Sequence, residues 1–467
     1  MKKIILALIL MLSFESFASL SGAESKLRKY KGLSRTQKVS LELVSSGYYY
    51  TAIPWVKEFL FKNRGSINSS MERAIDKLIT VVGARQFEIM SIKYLRRSKS
   101  NSVRYIIAKK LIRKNKAAAA LEYVNKINPN HPVYPFALNL KAVAYSLQGK
   151  ISSSVSAFKN CEIASLSRLS KTSQPILKKQ LMMNKDYCIM GEARALFQGK
   201  KFSKANLRYL DIPKSSFVWP EVLFEEAWNS YYEKNYNRTL GKLVTYNAPL
   251  FGYIFNPEIE VLTALTFMKM CLYKDAKKIS DNFYKENMSN TRKLRLFLKR
   301  NARRYKVFYR LVLDFEKTKR ASNPLLKRFL KSVVREPAYL EIRQSLVDAV
   351  AELKKVHSGR RRLIRTVAKK NLAEVIKTQK RLLGTYARQR LIEKYAQMYK
   401  AFEGMSYIKL ETLAQRKARL YNFDDKGSKR GDIKYIQRND KQYFWNFNGE
   451  FWADELGDYV FALGSEC

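Results

Sequence analysis

The stretch MGEARALFQGKKFSKA, from Met190 to Ala205, carries the spacing that decides the fold. Two small residues, Ala193 and Ala205, lie twelve positions apart, with a turn segment and the ring of Phe202 between them. In two antiparallel helices joined by a tight turn, such positions are where the backbones approach most closely, so both residues must be small. The stretch therefore predicts a helix hairpin.

The same pattern recurs along the chain. Further pairs of small residues with this spacing are Ala108 and Ala120, Ala142 and Ser154, Ala227 and Thr239, and Ala264 and Ala276. Five residues before the second small position of a hairpin are Gly47, Asn115 and Gly149, which tolerate the left-handed backbone of a turn. Three residues before it are the bulky side chains of Tyr49, Ile151, Phe202, Tyr236 and Tyr273. Four residues after it are Val56, Val124, Phe158, Tyr209 and Leu243, which we expect to face inward.

The second small positions also keep a longer period. Ala52, Ala120 and Ser154 are separated by multiples of 34 residues, which is the period of the tetratricopeptide repeat. Residues 40–290 therefore resemble the tetratricopeptide family, and this implies an all-α, right-handed solenoid of helix hairpins whose concave surface binds a protein segment. Two departures predict one decayed repeat at Gln86, where a small residue is expected, and an insertion near residues 162–187.

The N-terminus has the order of a secretory signal peptide. Met1, Lys2 and Lys3 precede an apolar run over residues 4–14, and small residues follow. Cleavage is expected after Ala18 or after Ala23. We therefore predict that residues 1–23 form a signal peptide and that the protein is exported to the periplasm.

Export bears on the cysteines Cys161, Cys188, Cys271 and Cys467, because an even number in an oxidising compartment favours disulfides. The favoured pairing joins Cys161 to Cys188, which closes the predicted insertion, and leaves Cys271 for Cys467. The alternative is free thiols buried between helices.

The chain is strongly basic, with a formal net charge of +49. Residues 291–420 hold 36 Lys and Arg against 10 Asp and Glu, and apolar residues recur between them at helical spacing. We expect a basic helical bundle or hairpin over residues 291–422, stacked on the end of the repeats. Its candidate contacts to an anionic partner are Lys354, Lys355, Arg360, Arg361, Arg362, Arg365, Lys369 and Lys370. A membrane surface, the cell wall or an acidic protein suits this charge, and a solvated face is the alternative; without a recognisable motif, nucleic acid is not expected.

The C-terminal tail, residues 423–467, contains six aromatic residues within residues 443–452, among them Trp445, Phe447, Phe451 and Trp452. Rings of this size require burial, so we expect the tail to pack on the last helices, with Glu450, Asp454 and Glu455 meeting the basic face. The run from Gly449 to Gly457, followed by Cys467, is similar to the closing segment of exported tetratricopeptide proteins of gliding and predatory delta-proteobacteria. Stacking of Trp445 and Trp452 on a glycan is the alternative.

Catalytic motifs are missing from the sequence. The chain has two histidines, His131 and His357, and neither lies near a metal-binding or nucleophile motif. We therefore expect no enzyme activity, cofactor or metal, and interpret the chain as repeats over residues 24–290, a basic module and a tail. The predicted function is a periplasmic scaffold or adaptor in an envelope assembly, with a peptidoglycan-binding or glycan-binding envelope protein as the alternative.

Overall fold

The computed structural model describes residues 20–357, 362–419, 433, 436 and 438–467. Residues 1–19 of the predicted signal peptide, together with Arg360 and Arg361, lie outside the described residues. Within the described part the chain forms twenty α-helices, two short 3-10 turns and one pair of two-residue strands. The predicted all-α class is confirmed.

The first ten helices are α1 (20–29), α2 (Gly32–Ser45), α3 (Tyr49–Lys62), α4 (Ser69–Val82), α5 (Arg85–Glu88), α6 (Ile92–Leu95), α7 (Asn101–Ile112), α8 (Ala117–Val124), α9 (Tyr134–Leu147) and α10 (Ile151–Lys171). The next ten are α11 (Pro175–Gln198), α12 (Phe202–Tyr209), α13 (Trp219–Tyr232), α14 (Tyr236–Val244), α15 (Glu258–Lys269), α16 (Tyr273–Arg300), α17 (Tyr305–Thr318), α18 (Pro324–Val333), α19 (Pro337–His357) and α20 (Arg362–Arg419). The 3-10 turns are Thr245–Asn247 and Pro249–Phe251. The strands β1 (Trp445–Asn446) and β2 (Tyr459–Val460) pair in parallel.

The small residues of the twelve-residue pattern are all inaccessible to solvent. Each member of the five pairs, from Ala108 to Ala276, has 0% of its surface exposed, and so does Ala52. Four of the pairs join helices that pack against each other: α7 with α8, α11 with α12, α13 with α14, and α15 with α16. In each case both helices belong to the same compact unit. A larger side chain at any of these positions would require the helices to separate.

The turns share one backbone geometry. The position five residues before the second small residue has a positive φ at Gly47, Asn115, Gly149, Lys200, Lys234 and Cys271. At five of these turns the next amide donates to the carbonyl five residues earlier, as Lys201 does to Leu196 at 2.9 Å. This bond satisfies a carbonyl that the end of the first helix leaves open, and it reverses the chain direction.

The irregular parts of the pattern have distinct structures. Gln86 lies buried in the four-residue helix α5, and its side-chain oxygen accepts a hydrogen bond of 2.8 Å from Lys57. The extra residues near 162–187 lengthen two helices, because α10 has 21 residues and α11 has 24. The insertion is therefore a long hairpin, with few of its residues in a loop.

The chain divides into two compact units. The first contains the described residues of 1–149 and 337–386, and the second contains 150–336 and the described residues of 387–467. The division falls inside α20, between Tyr386 and Ala387. In the first unit α19 packs on α3, near the start of the chain. The predicted basic module is therefore shared between the units, and its boundaries at residues 291 and 422 stay predictions.

Both cysteine pairs of the favoured pairing lie within the second unit at disulfide-bonding distance. Cys161 of α10 and Cys188 of α11 have Cα atoms 5.9 Å apart, and those of Cys271 and Cys467 are 5.2 Å apart. The first pair connects the two arms of the long hairpin. The second connects the turn between α15 and α16 to the end of the tail.

Among the described helices, none combines the length and the apolar composition needed to cross a membrane.

Candidate functional site: an aromatic surface on the hairpins and an anchored tail

The predicted anionic-partner residues lie at the end of α19 and the start of α20. Lys354, Lys355, Arg362 and Lys370 are exposed, whereas Arg365 and Lys369 are half-buried. The Lys355 Nζ lies 4.8 Å from the centroid of the Tyr48 ring, so this lysine also takes part in packing within the first unit.

The tail is held along α14 by its backbone. The amides of Phe461 and Leu463 donate to the backbone and side-chain oxygens of Asn237, at 3.2 and 3.0 Å, and the Gly457 amide donates to Thr245 Oγ1 at 3.1 Å. Val460 and Tyr459 are buried there. The tail backbone comes this close to α14 because Gly241, in the middle of the helix, has no side chain.

Further contacts fix the ends of the tail. Lys214 Nζ donates to the carboxylate of Asp458 at 2.8 Å and to the carbonyl of Asp454 at 2.7 Å. At the C-terminus the Glu466 amide donates to the Met270 carbonyl at 2.9 Å, next to the Cys271 and Cys467 pair. The tail thus packs on α13, α14 and α15. The expectation that it covers the last helices is wrong, because its apolar partners are Trp219 and Leu223 of α13 and Leu240 of α14.

The four predicted tail aromatics divide into two groups. Phe447 and Phe451 pack on Tyr459, with ring centroids 5.3 and 6.1 Å away, and they are half-buried. Trp445 and Trp452 point outward, with 44% and 59% of their surfaces exposed. Two of the four predicted tail aromatics therefore serve the attachment of the tail, and two remain accessible.

A second set of rings lies at the turn end of two neighbouring hairpins. Consecutive ring centroids are 5.3 to 6.1 Å apart, and the set forms one continuous array. We call it the hairpin aromatic patch; its members are Phe197, Phe202, Trp228, Tyr231, Tyr232 and Tyr236. Tyr232 is 52% exposed, and its ring is stacked on that of Phe202 at 5.5 Å.

The same two helices, α11 and α13, also carry an ion-pair cluster. Arg194 of α11 is paired with Glu221 at 2.6 Å and with Glu225, both on α13. Burial raises the pKa of the Glu225 carboxyl above its usual value, and the ion pair with Arg194 only partly opposes this shift. Burial also raises the pKa of Tyr231 to about 12, and its hydroxyl is a neutral hydrogen-bonding group at physiological pH. The patch therefore combines exposed aromatic area with a hydrogen-bonding hydroxyl.

The sequence identified only part of this patch. Phe202 and Tyr236 belong to the predicted series of bulky residues, but the four other rings were missed. The signal is the run Trp228-Asn229-Ser230-Tyr231-Tyr232, in which three rings occupy positions i, i+3 and i+4 and so share one helix face. A fourth ring follows after the turn, at Tyr236.

No catalytic constellation can be assigned from the described residues. Among them, no group of three or more His, Cys, Asp or Glu side chains is arranged to hold a metal ion. His131 Nε2 is hydrogen-bonded to Asp76 Oδ2, and this contact orders the loop before α9. Asp76 Oδ1 accepts the Ser102 amide at 2.8 Å, so the pair connects α4, α7 and that loop.

Comparison with known proteins gives no family assignment, because no model of a known protein family matches the chain. A search of curated proteins likewise finds no matching sequence.

Proposed function

We propose that this protein is a non-catalytic scaffold or adaptor, built from tetratricopeptide-like hairpins, that binds a protein segment in a cell-envelope assembly. The hairpin aromatic patch carries the proposal. The resemblance to tetratricopeptide repeats is supported by the small, fully buried residues at each helix crossing and by the common left-handed turn position.

The composition of the patch suits a protein ligand. Tyrosine and tryptophan supply large, rigid contact area with few rotatable bonds, and they are enriched among the residues that dominate binding energy. Tyr232 provides an exposed ring, and Trp228 and Tyr231 are half-buried beside it. Aromatic residues of this kind are enriched at the centre of protein interfaces.

Export and an anionic partner belong to the same proposal. The N-terminal sequence and the two cysteine pairs are consistent with the periplasm. The net charge of +49 would increase the rate of encounter with an anionic envelope component or an acidic subunit, whereas the patch would give the specificity.

The test is photo-crosslinking in the native cell, with a photoreactive amino acid at position 232 and, as the matched control, at Tyr399. Tyr399 is similarly exposed, at 56%, and lies on α20. We expect a protein adduct that forms from position 232 and not from position 399. With the purified partner, Tyr232→Ala should then weaken binding by about 30-fold, the loss typical of a dominant aromatic contact.

Two results would refute this function: equal adducts from both positions, or a specific partner whose affinity does not change in Tyr232→Ala and Trp228→Ala. Tyr399→Ala should leave the affinity unchanged.

A further inference from the structure

The tail presents a second accessible aromatic surface, separate from the hairpin aromatic patch. Among the described residues of the tail, three rings are exposed: Tyr443 at 68%, Trp445 at 44% and Trp452 at 59%. We call these three residues, with Glu450 and Asp454, the tail surface. An exposed tryptophan leaves a large apolar area in water, so two of them in one short segment require an explanation.

The backbone beneath these rings is fixed. The Trp452 amide donates to Tyr459 Oη at 2.8 Å, and the Trp445 amide donates to the Asp458 carbonyl at 3.0 Å within the strand pair. Tyr459 itself is 1% exposed and packs in the core of the second unit. Both tryptophans are therefore held by a buried segment that is attached to α14. A ligand that contacts them would not have to order this part of the backbone.

The chemical surroundings of these rings differ from those of the hairpin patch. Residues 442–467 contain five acidic residues and no lysine or arginine, in a chain with a net charge of +49. Of the cations on neighbouring elements, Lys214 pairs with Asp458, and Arg238 lies 4.9 Å from the centroid of the Phe444 ring. Glu450 and Asp454 are exposed, as are the side chains of Asn446 and Asn448. The carboxylates disfavour an anionic ligand, so phosphate-rich or sulfated polymers do not suit this surface.

The arrangement of the exposed tail rings differs from that of the hairpin aromatic patch. The rings of that patch form a continuous array, whereas none of the ring contacts between described residues includes Tyr443, Trp445 or Trp452. Separate exposed rings do not form the clustered, desolvated centre that dominates protein contacts. Flat aromatic faces next to carboxylate and amide groups match a sugar instead, because its C–H face packs on a ring while its hydroxyls donate and accept hydrogen bonds.

We infer that the tail surface binds an uncharged polysaccharide, with Trp445 and Trp452 as the stacking platforms and Glu450 and Asp454 as acceptors for sugar hydroxyls. This site shares no residue with the proposed protein-binding patch, and it would allow one molecule to hold a protein and a glycan together.

The experiment titrates the full-length purified protein with uncharged hexasaccharides, namely a β-1,4-linked N-acetylglucosamine hexamer and a β-1,4-linked glucose hexamer. Binding is followed by calorimetry and by tryptophan fluorescence at about 0.5 M salt, where exposed charges are screened. We expect at least one hexamer to bind with a Kd below about 1 mM. The Trp445→Ala/Trp452→Ala variant should lose at least tenfold in affinity, whereas Tyr232→Ala should bind like the parent.

Two further variants separate a binding role from a structural one. Trp452→Tyr retains a stacking face and should recover most of the affinity, and Glu450→Gln with Asp454→Asn should weaken binding without a change in the melting temperature. The inference is overturned if neither hexamer binds, or if binding survives loss of both tryptophans. Retention on sulfated polymer alone, abolished by salt, would also overturn it. Each of these results leaves the protein-binding proposal to be decided by its own crosslinking test.

Discussion

The glycine at position 241 allows the tail to attach to α14. A Cβ atom added at Gly241 would lie 1.7 Å from the carbonyl oxygen of Tyr459, which is far inside contact distance and involves rigid backbone. Alanine favours a helix over glycine by about 1 kcal/mol, but the clash should exceed this gain. Gly241→Ala is therefore expected to lower the free energy of unfolding by about 1–3 kcal/mol and to displace residues 457–461.

Hydrogen exchange of the Phe461 and Leu463 amides measures this displacement directly, because both are donors to Asn237. In the matched control Gly65→Ala, the added Cβ meets no atom within 4 Å, so stability should change by at most about 0.5 kcal/mol. Unchanged exchange at both amides in Gly241→Ala would contradict the role assigned to this glycine.

The turn residues show how far residue-level reasoning reaches. Gly47, Asn115 and Gly149 were predicted to tolerate a left-handed backbone, and each has a positive φ. Lys200 and Cys271 adopt the same conformation without any preference for it, at a cost of about 1–2 kcal/mol each. Only the repeat spacing identifies them, since the packed hairpins on both sides impose the geometry.

At the scale of elements, α3 depends on a carboxylate about 300 residues away. The residue before this helix, Tyr48, supplies no side-chain cap, and Glu352 of α19 replaces it. Its carboxylate accepts from the amides of Tyr50 and Thr51, at 3.0 and 2.7 Å, and from the Thr51 hydroxyl at 2.6 Å. This contact explains why residues 337–386 belong to the same compact unit as the first hairpins.

Removal of this cap is a sharp test of the contact. Glu352→Ala leaves three donors in a part-buried site without their acceptor, so we expect a loss of about 3 kcal/mol in the free energy of unfolding. Glu352→Gln keeps one acceptor oxygen and should lose less. Lys354→Ala, at an exposed position of the same helix, is the control and should be close to neutral. Chemical denaturation of the three variants measures the differences, and an equal loss in Glu352→Ala and Lys354→Ala would contradict the capping role.

The tail and α19 show what the sequence pattern does not contain. The aromatic run indicates that residues 443–452 pack on other parts of the protein. The sequence of the tail does not indicate which helices these residues contact. The mid-helix Gly241 is the one local sign of a close contact on α14, and it becomes interpretable only when the partner is known. Glu352 gives no local sign, because its partners are backbone amides, which every sequence offers.

At the scale of the whole molecule, the charge is the property that follows most directly from the sequence. The net charge of +49 and its concentration in residues 291–420 are read from the sequence alone. Where the individual side chains lie requires the structure, which places Lys354, Lys355, Arg362 and Lys370 at exposed positions of α19 and α20. These four residues are accessible to an anionic surface.

Whether this cluster or the total charge attracts an anionic partner is testable with vesicles. We expect the full-length protein to bind phosphatidylcholine vesicles that contain phosphatidylglycerol, and to lose at least tenfold in affinity between about 0.05 and 0.5 M salt, because exposed charges are screened. Substituting the four residues of the cluster with glutamine should weaken binding at low salt by at least tenfold, since each charge near the surface contributes up to about 1 kcal/mol. The matched control removes the same charge from four exposed positions elsewhere, Lys204, Lys278, Lys285 and Arg292. A smaller loss in the control assigns the contact to the end of α19 and the start of α20, whereas equal losses would mean that the field of the whole molecule, and not this cluster, governs the attraction.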